Sequence, residues 1–461
     1  MNLQPPLSPG LNAVPRLSVV HDRFFDRASL KSTGSRSRGC RPTVWAVAAT
    51  VALGIPGARL QAQEERDSLA GESAATSLAE SLEATRYNLH WGPVSFRTRA
   101  GLQLEFTDNA YWSEVAPQAD LIVRPQVDLG AYWPITRMNT LAVNLGVRYD
   151  YYLDNTRLNP EGPLFAPNSE VAFNFFVGDF RFRIRDRFNY DQTLSHQSYI
   201  YDAGGEFVGF SNVQRFDRWM NRIGLTADWD LHDMILTGSY DHENYEATSS
   251  AYQYLSRVSE LFDLRARFNP QAPIRPGFEV AASLDDYTDA SISDQTRLSA
   301  GPSISATLSP AIGVRAGAGY QGVWFADPPA GEDDTLQTYY AFAEITHRVN
   351  PWFRHALTAR HFPTRGWNGG NQETTGFRHS TSSTFLKDAT IATSLSFNSA
   401  EQSYGLYDEN YQYFAAGIDL IYDLGKRWEG RVGYWFVKKD SDLRLRDYAQ
   451  NNLAVQINYT F

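Results

Sequence analysis

The chain has 461 residues, of which 43% are hydrophobic and 14% aromatic, and it carries a formal net charge of −10. Its mean hydropathy is −0.41, and no apolar run after residue 62 approaches the ~20 residues of a membrane-spanning helix, which excludes a helical membrane protein. The negative charge disfavours nucleic acid as a partner, and the wealth of aromatic residues disfavours a disordered chain.

The first segment, residues 1–62, is typical of an export signal with an amino-terminal extension. Basic residues over 31–41 precede the apolar stretch TVWAVAATVALG at 43–54, and cleavage is expected after Ala62. Removing its eight basic and two acidic residues leaves 34 basic and 50 acidic residues, a net charge of −16. Cys40, the only cysteine, is removed as well, so we expect no disulfide and no cysteine-based metal site. A transmembrane anchor is the alternative for this segment.

Residues 63–93 are polar and rich in Ala, Ser and Glu, and we interpret them as a solvated linker. From Val94 onward the pattern changes to an alternation with a period of two. In VSFRTRAGLQLEF at 94–106, apolar residues occupy one face, whereas Arg97, Arg99 and Glu105 occupy the other. We therefore predict a β-strand with one apolar and one polar face.

Segments with this alternation recur to the carboxyl terminus, and the connections between them are alternately short and long. They predict strands at 94–107, 119–133, 139–153, 169–178, 179–190, 216–231, 233–245, 255–268, 273–287, 295–308, 311–325, 336–349, 351–362, 374–386, 389–399, 410–423, 427–438 and 450–461. Eighteen strands, with sixteen as the alternative, indicate an all-β fold: an antiparallel, up-and-down transmembrane β-barrel over 94–461. Because the number is even, both ends of the barrel segment fall on the side of the short turns, which we expect to be periplasmic.

A large water-soluble β-sandwich, propeller or β-helix would also alternate, so the period alone does not decide the fold. Aromatic residues near the predicted strand ends favour a membrane barrel, because aromatic girdles lie at both membrane interfaces. They are Phe106, Trp133, Tyr151, Phe188, Trp229, Trp324 and Trp428. We therefore expect the chain in the outer membrane of a Gram-negative cell, surrounded by lipid and lipopolysaccharide.

The chain ends with VQINYTF, in which Val455, Ile457, Tyr459 and Phe461 alternate with polar residues. This ending resembles the recognition signal by which the barrel-assembly machinery engages Gram-negative outer-membrane proteins. The resemblance implies that these four residues are an assembly signal and that this machinery is a partner. A last strand of this kind is expected to close the barrel against the first and leave no open edge.

The first strand leads into EFTDNAYW at 105–112, which is similar to the opening strand of the putative beta-barrel porin 2 group. Members of that group often accompany exopolysaccharide production. The resemblance, which would extend over residues 90–461, implies a porin-like barrel that passes polar solutes or exports a polysaccharide.

A barrel of sixteen to eighteen strands is wide enough for an aqueous channel, so the residues that alternate with the apolar face are predicted to line water. In FRFRIRDRF at 180–188, phenylalanines and an isoleucine face lipid and four arginines face inward. Asp186 remains on the outward side, where we expect it near a membrane interface. The predicted pore-lining residues are Arg181, Arg183, Arg185, Arg187, Arg97, Arg99, Arg148, Arg222, Glu105, Asp128 and Asp150.

Two interpretations of these arginines stay open. In the first, an arginine wall faces carboxylates across a constriction and orients polar solutes or guides an acidic polysaccharide. In the second, the guanidinium groups pair with carboxylates of neighbouring strands and only brace the wall. The first interpretation predicts an open channel with weak anion preference, because charges within ~8–10 Å dominate the energy of a permeating ion.

An outer-membrane barrel enzyme and a purely structural barrel are the alternative functions. A hydrolase needs a nucleophile beside a histidine, whereas His242, His347 and His355 fall on or near the outward side and the RHS at 378–380 lies in an irregular strand. A plugged transporter needs a plug domain, for which 63–93 is too short. We therefore expect a channel that is not an enzyme and uses no cofactor or metal.

Overall fold

The computed structural model describes residues 89–461 except 137, 167–168, 202–206, 329–330, 367, 387 and 426, with side chains except those of 193–215, 251 and 385. The predicted export signal and most of the predicted linker lie outside the described residues. Two short 3-10 helices, Thr156–Leu158 and Ser250–Leu255, occur in the loops. In the part of the chain that is described, no helix is long and apolar enough to cross a membrane.

Eighteen long strands in the described ranges form one closed antiparallel barrel, as the alternation predicts. They are β1 (Val94–Thr107), β2 (Asp120–Pro134), β3 (Thr140–Arg148), β4 (Glu170–Val177), β5 (Phe180–Tyr201), β6 (Phe207–Asp230), β7 (Met234–Ala247), β8 (Arg257–Phe268), β9 (Ile274–Tyr287), β10 (Gln295–Ser309), β11 (Ile312–Phe325), β12 (Thr335–Asn350), β13 (Phe353–Arg365), β14 (Asn371–Leu386), β15 (Ala389–Ser403), β16 (Glu409–Asp423), β17 (Trp428–Ser441) and β18 (Tyr448–Thr460). Each strand pairs with the next, and β18 pairs with β1 from Thr460 opposite Arg99 to Asn452 opposite Thr107. The last strand therefore closes the barrel.

The barrel is apolar outside and polar inside. On β1, Leu102, Leu104 and Phe106 are 43%, 43% and 47% exposed, whereas Gln103 and Glu105 between them are 8% and 5% exposed. Strand pleating sends successive side chains to opposite faces, so the exposed leucines lie on the outer wall and the buried polar residues on the inner wall. An apolar outer wall is stable only in lipid, and the fold is therefore a transmembrane β-barrel.

Aromatic side chains mark the edge of this apolar wall beside the short turns. Trp133, Trp229 and Trp428 are all exposed there, within two residues of a strand end. Trp229 stacks on Phe180 with ring centroids 5.2 Å apart, and Trp428 lies 4.7 Å from Tyr459. Their position is that of an interfacial girdle, which fixes the depth of the barrel in the bilayer.

Residues 191–201 and 207–215, which the prediction leaves in a loop, instead extend β5 and β6 into a long hairpin. Leu194 pairs with Arg215, and Tyr201 pairs with Phe207 after a shift in register. Hairpin pairing satisfies the backbone groups of two strands even where neither has a further neighbour in the sheet. The polar residues of this hairpin therefore indicate that it lies outside the bilayer. They do not indicate an irregular backbone.

Two other boundaries differ from the prediction. The predicted strand at 139–153 is interrupted at residues 149–150: β3 ends at Arg148, and Tyr151–Tyr152 pair again with β2 in the same register. The strand pairing ends beyond them, because the Asp120 carboxylate accepts hydrogen bonds from the backbone N–H groups of residues 153–155 at 2.9–3.1 Å and holds them as a loop. The end of the predicted linker, Leu89–Trp91, forms a short strand that pairs with the start of β1.

Residues 107–109, the TDN of EFTDNAYW, stabilise the pairing of β1 with β18 at the end of the barrel that carries the long loops. The Asp108 carboxylate accepts hydrogen bonds from the backbone N and the side-chain Nδ2 of Asn451, at 2.7 and 2.6 Å. Asn109 Nδ2 donates to the carbonyl oxygens of Ser113 and Ala449, at 2.8 and 3.0 Å. The motif thus joins the first and last strands and shapes the first long loop.

Candidate functional site: the barrel lumen

The lumen has two unlike halves, which we call the turn half, beside the short turns, and the loop half, beside the long loops. Inward side chains of the turn half are open to water: Arg348 is exposed, and the Arg181 side chain is 58% exposed. Inward side chains of the loop half are packed away from water, and Glu243 and Asn371 are fully buried. The loop half is therefore the narrow part of the lumen.

Residues 363–366 and 368–371, which we call the inward segment, help to fill the loop half. This segment joins β13 to β14 and leans across the lumen, where Arg365 Nη1 contacts Asp285 Oδ1 at 2.9 Å and Ser259 Oγ at 2.8 Å. Ser259 belongs to β8, five strands away from β13. Arg297 Nη1 donates to Asn371 Oδ1 at 3.0 Å. The inward segment is thus held by side chains of β8, β9 and β10.

A second buried cluster supports the inward segment from the other side. Asn368 Nδ2 donates to the carbonyl oxygen of Tyr407 at 2.6 Å, and Arg446 Nη1 donates to the Tyr407 hydroxyl at 2.9 Å. Arg446 also contacts Glu409 Oε2 at 3.0 Å, and Lys439 Nζ contacts Glu409 Oε1 at 2.5 Å. Burial raises the pKa of Tyr407 well above its ordinary value, so this phenol stays neutral.

The arginine ladder of β5 lies on the inner wall, and each of its members is paired. Arg183 and Arg187 share the Glu170 carboxylate of β4. Arg181 Nε contacts Asp228 Oδ2 of β6 at 2.8 Å. These contacts favour the bracing interpretation for most of the ladder, because a guanidinium that already holds a carboxylate offers less charge to a permeating ion.

Arg185 reaches beyond its neighbouring strand. Its Nη2 contacts Asp241 Oδ2 of β7 at 2.7 Å. Gly224 of β6 lies opposite both residues in register, and a β-carbon there would overlap the Asp241 carboxylate. A glycine on the middle strand thus allows an ion pair to form across it.

The other predicted residues of the first strands form one chain of ion pairs. Glu105 binds Arg124, whose Nε lies 3.3 Å from Asp150 Oδ2. Arg148 Nε lies 3.1 Å from Asp150 Oδ1, and its Nη2 lies 2.8 Å from Asp191 Oδ1. Asp150 sits in the loop after β3 and not on a strand, yet its carboxylate still joins the inner network.

The remaining predicted residues also lie on the inner wall. Arg99 binds Glu429 and lies opposite Asp128 in register. Arg222 Nε contacts Glu243 Oε2 at 2.9 Å. Arg97 is on the same face of β1, two residues nearer the turn half.

The prediction missed four inward arginines of the turn half. Arg267, Arg275, Arg348 and Arg354 all lie close to a short turn. Among the described residues, none of the four forms an ion pair with a carboxylate; Arg275 instead donates to the hydroxyls of Ser305 and Thr307 at 3.3 and 3.0 Å. Alternation in RVSELFDLRARF already places Arg267 inward, but the absence of an acidic neighbour depends on which strands meet.

The inward faces of β15 and β18 carry no charged side chain. Their inward residues are mainly amides, hydroxyls and small side chains, among them Ser394, Ser396, Asn398, Gln402, Gln456 and Asn458. Between these two strands lie β16 and β17, where Asp419 pairs with Arg431, and on β14 the inward Arg378 lies opposite Thr358. Gln456 Nε2 donates to Asn458 Oδ1 at 3.0 Å. Two strands of the lumen wall, β15 and β18, therefore offer uncharged hydrogen-bonding groups, with the ion pair of β16 and β17 between them.

The histidines considered for catalysis point to the outer wall. His242 Nδ1 lies 2.9 Å from Glu260 Oε1, and His347 Nδ1 lies 3.2 Å from His355 Nε2. His361, also on the outer wall, has its Nδ1 atom 2.8 Å from Oγ1 of Thr375, its partner in register on β14.

Asp186 and the predicted assembly signal also lie on the outer wall. Asn221 Nδ2 donates to Asp186 Oδ1 at 2.6 Å, which gives this carboxylate a partner on the lipid side. Val455, Ile457 and Phe461 are exposed to the bilayer, and the Tyr459 hydroxyl accepts a hydrogen bond from Arg427 Nη1 at 3.0 Å.

Fold and lumen together define a transmembrane β-barrel of the porin form, with a polar interior. No family model and no curated protein matches the chain. Among solved structures it is similar to the Pseudomonas aeruginosa outer membrane protein opdK, at 10% identity and a TM-score of 0.44 over 79% of this chain and 99% of that one.

Two further solved structures show a comparable similarity. P. aeruginosa OccK2 (OpdF) in complex with glucuronate is 10% identical, with a TM-score of 0.44 over 79% of this chain and 98% of that one. An anion-selective porin from Comamonas acidovorans is 9% identical, with a TM-score of 0.39 over 80% of this chain and 99% of that one.

Proposed function

We propose that the chain is a porin-like channel of the Gram-negative outer membrane, which admits small polar and anionic solutes. The observation that carries this proposal is the lumen of unequal halves. A water-filled turn half with unpaired arginines collects anions, and a narrow loop half lined by buried polar groups, many of them in ion pairs, limits their size.

Anion preference is expected although the chain without residues 1–62 carries a net charge of −16. Permeating ions respond to charges within a Debye length, ~8–10 Å at ordinary salt concentrations. Arg267, Arg275, Arg348 and Arg354 lie on the wall of the turn half, whereas most inward carboxylates are held by arginines. The local field at the mouth is therefore positive.

In this proposal residues 1–62 are the export signal, and both ends of the barrel segment and the short turns face the periplasm. Residues 455–461 present the assembly signal to the barrel-assembly machinery. Lipopolysaccharide surrounds the end of the barrel that carries the long loops. Replacing Tyr459 and Phe461 together with Ser should reduce the amount of barrel in the outer membrane, and a matched Leu453→Ser variant, outside the signal, should reduce it less. Equal amounts for the wild type and the Tyr459/Phe461 variant would contradict the assembly role.

Planar-bilayer recording of the purified barrel tests the channel. We expect discrete conductance steps. Under a salt gradient, the reversal potential should have the sign of an anion-selective pore. A barrel that inserts into the bilayer but does not conduct would be a structural barrel, and a cation-selective pore would overturn the proposed preference.

Export of an acidic polysaccharide is the second candidate, favoured by the uncharged inward faces of β15 and β18. Amide and hydroxyl side chains match sugar hydroxyl groups, while the arginines would match acidic substituents. Such a polymer would pass only if the inward segment moved aside. Transient blocks of the current by long acidic oligosaccharides, entering from the turn side, would support export. A block that does not depend on oligosaccharide length would exclude it.

A further inference from the structure

Two arginines lie directly opposite each other on the inner wall, beside the turn between β12 and β13. Arg348 pairs in register with Arg354. Phe342 and Phe362 occupy the same face of these strands and meet inside the barrel, with ring centroids 6.2 Å apart. Since side chains alternate along a strand, Arg348 and Arg354 also project into the lumen.

The turn holds the backbone beneath this pair in place. The Asn350 Oδ1 atom accepts hydrogen bonds from the backbone N–H groups of Trp352 and Phe353, at 3.0 and 2.7 Å. The Arg348 N–H donates to the carbonyl oxygen of Ala311 at 2.8 Å. The two guanidinium groups therefore extend from a braced base, and the register that opposes them is set by the turn.

The surroundings of the pair supply no counter-charge. Ser382 lies opposite Arg354 on β14, and the next inward residues on β12 and β13 are Thr346 and Ala356. The next acidic side chain along β12 is Glu344, about 13 Å away at 3.3 Å per residue, and it lies 3.8 Å from Arg315. Among the described residues, Arg348 and Arg354 have no ion-pair partner.

Like charges directly opposite each other destabilise a sheet, so this arrangement lowers the stability of the empty barrel. Two adjacent guanidinium groups offer parallel N–H donors that match the oxygens of an oxyanion. Arg348 is exposed to the lumen and Arg354 is half-buried, so a solute that enters from the turn side reaches both.

We propose that Arg348 and Arg354 form a binding site for a small, doubly charged oxyanion of the phosphate type at the turn-side mouth of the channel. The site deepens the proposed channel function and rests on it. It concentrates such anions ahead of the narrow loop half, and a bound anion there impedes chloride.

The test is block of the chloride current by inorganic phosphate added to one side of a planar bilayer. Phosphate on the turn side should block the wild type at a lower concentration than phosphate on the loop side. Replacing Arg348 and Arg354 together with Gln should raise the half-blocking concentration roughly tenfold or more, since it removes the charged hydrogen-bond donors that hold the anion. The matched Arg275→Gln variant removes one charge of the turn half outside the pair, so it should raise the half-blocking concentration far less.

Calorimetric titration of phosphate into the detergent-solubilised barrel separates this site from the channel function. Binding that is lost in the Arg348/Arg354 variant supports the site even if the barrel does not conduct. No phosphate binding to the wild type, or binding unchanged by the double substitution, overturns the site. A conducting barrel that lacks phosphate block would overturn the site and leave the channel function intact.

Discussion

Arg185 and Arg354 are the same residue type on the same inner wall, yet their surroundings differ completely. Arg185 is buried in the loop half, where Asp241 lies 2.7 Å from its Nη2 atom. Arg354 lies in the turn half opposite another arginine, and it has no carboxylate partner among the described residues. The comparison shows that the number of arginines in a lumen does not decide its selectivity; their pairing does.

The difference follows from electrostatics in two environments. A buried guanidinium in the loop half is desolvated and needs a carboxylate to remain charged at low cost. A guanidinium in the turn half stays hydrated and needs no partner. The loop half therefore uses arginine to hold strands and loops together, whereas the turn half uses it to attract anions.

The largest expected effect comes from removing one acid of the loop half. Glu243 is fully buried and contacts Arg222, Arg257 and Arg365. Glu243→Gln leaves these guanidinium groups without their shared carboxylate and should lower the free energy of unfolding by roughly 3–5 kcal/mol. Urea unfolding measures this change, with the folded barrel followed as the gel band whose mobility shifts when the sample is heated. The control Glu344→Gln, whose partly exposed carboxylate lies 3.8 Å from Arg315, should lose far less, and equal losses would contradict the comparison.

The next effect is on conductance. Arg365→Gln removes the contacts that tie the inward segment to Ser259 and Asp285, so the segment should become more mobile and the single-channel conductance should rise. The control His361→Gln lies on the same strand but on the outer wall and should leave the conductance unchanged. Unaltered conductance in Arg365→Gln would show that the inward segment does not limit the passage.

A smaller effect, on selectivity, is expected in the turn half. Arg267→Gln combined with Arg275→Gln removes two positive charges that hold no carboxylate among the described residues. The reversal potential should shift toward the value of a cation-selective pore. The free energy of unfolding should change by no more than ~0.5 kcal/mol, as for most surface substitutions. Loss of stability without a change in reversal potential would assign these arginines to bracing.

The smallest shift in selectivity is expected from the β5 ladder. Replacing Arg183 and Arg185 with Ser should move the reversal potential in the same direction, but less than the Arg267/Arg275 variant does. The reason is that Arg183 and Arg185 already hold the carboxylates of Glu170 and Asp241, so they offer less charge to a permeating ion than arginines without such a partner. If the reversal potential shifts more than in the Arg267/Arg275 variant, the arginines of β5 determine the selectivity of the channel.

The period of two in the sequence was sufficient to predict most of the fold. Alternation depends only on the pleat of a strand, so it located all eighteen strands and the inward phase of Arg181, Arg183, Arg185 and Arg187 without knowledge of any contact. The sequence also predicted the closure of the last strand, since an even set of strands with an apolar outer face has no other stable arrangement in lipid.

Only the tertiary structure decided which charges meet. Arg185 finds Asp241 because Gly224 leaves a gap on the strand between them, and Arg365 finds Asp285 because the inward segment crosses the lumen. Both contacts join residues on strands that are not neighbours, which no local pattern encodes. For the same reason the sequence did not predict that Arg348 and Arg354 lack an ion-pair partner among the described residues. That depends on neighbouring strands without acidic residues, which only the closed barrel brings together.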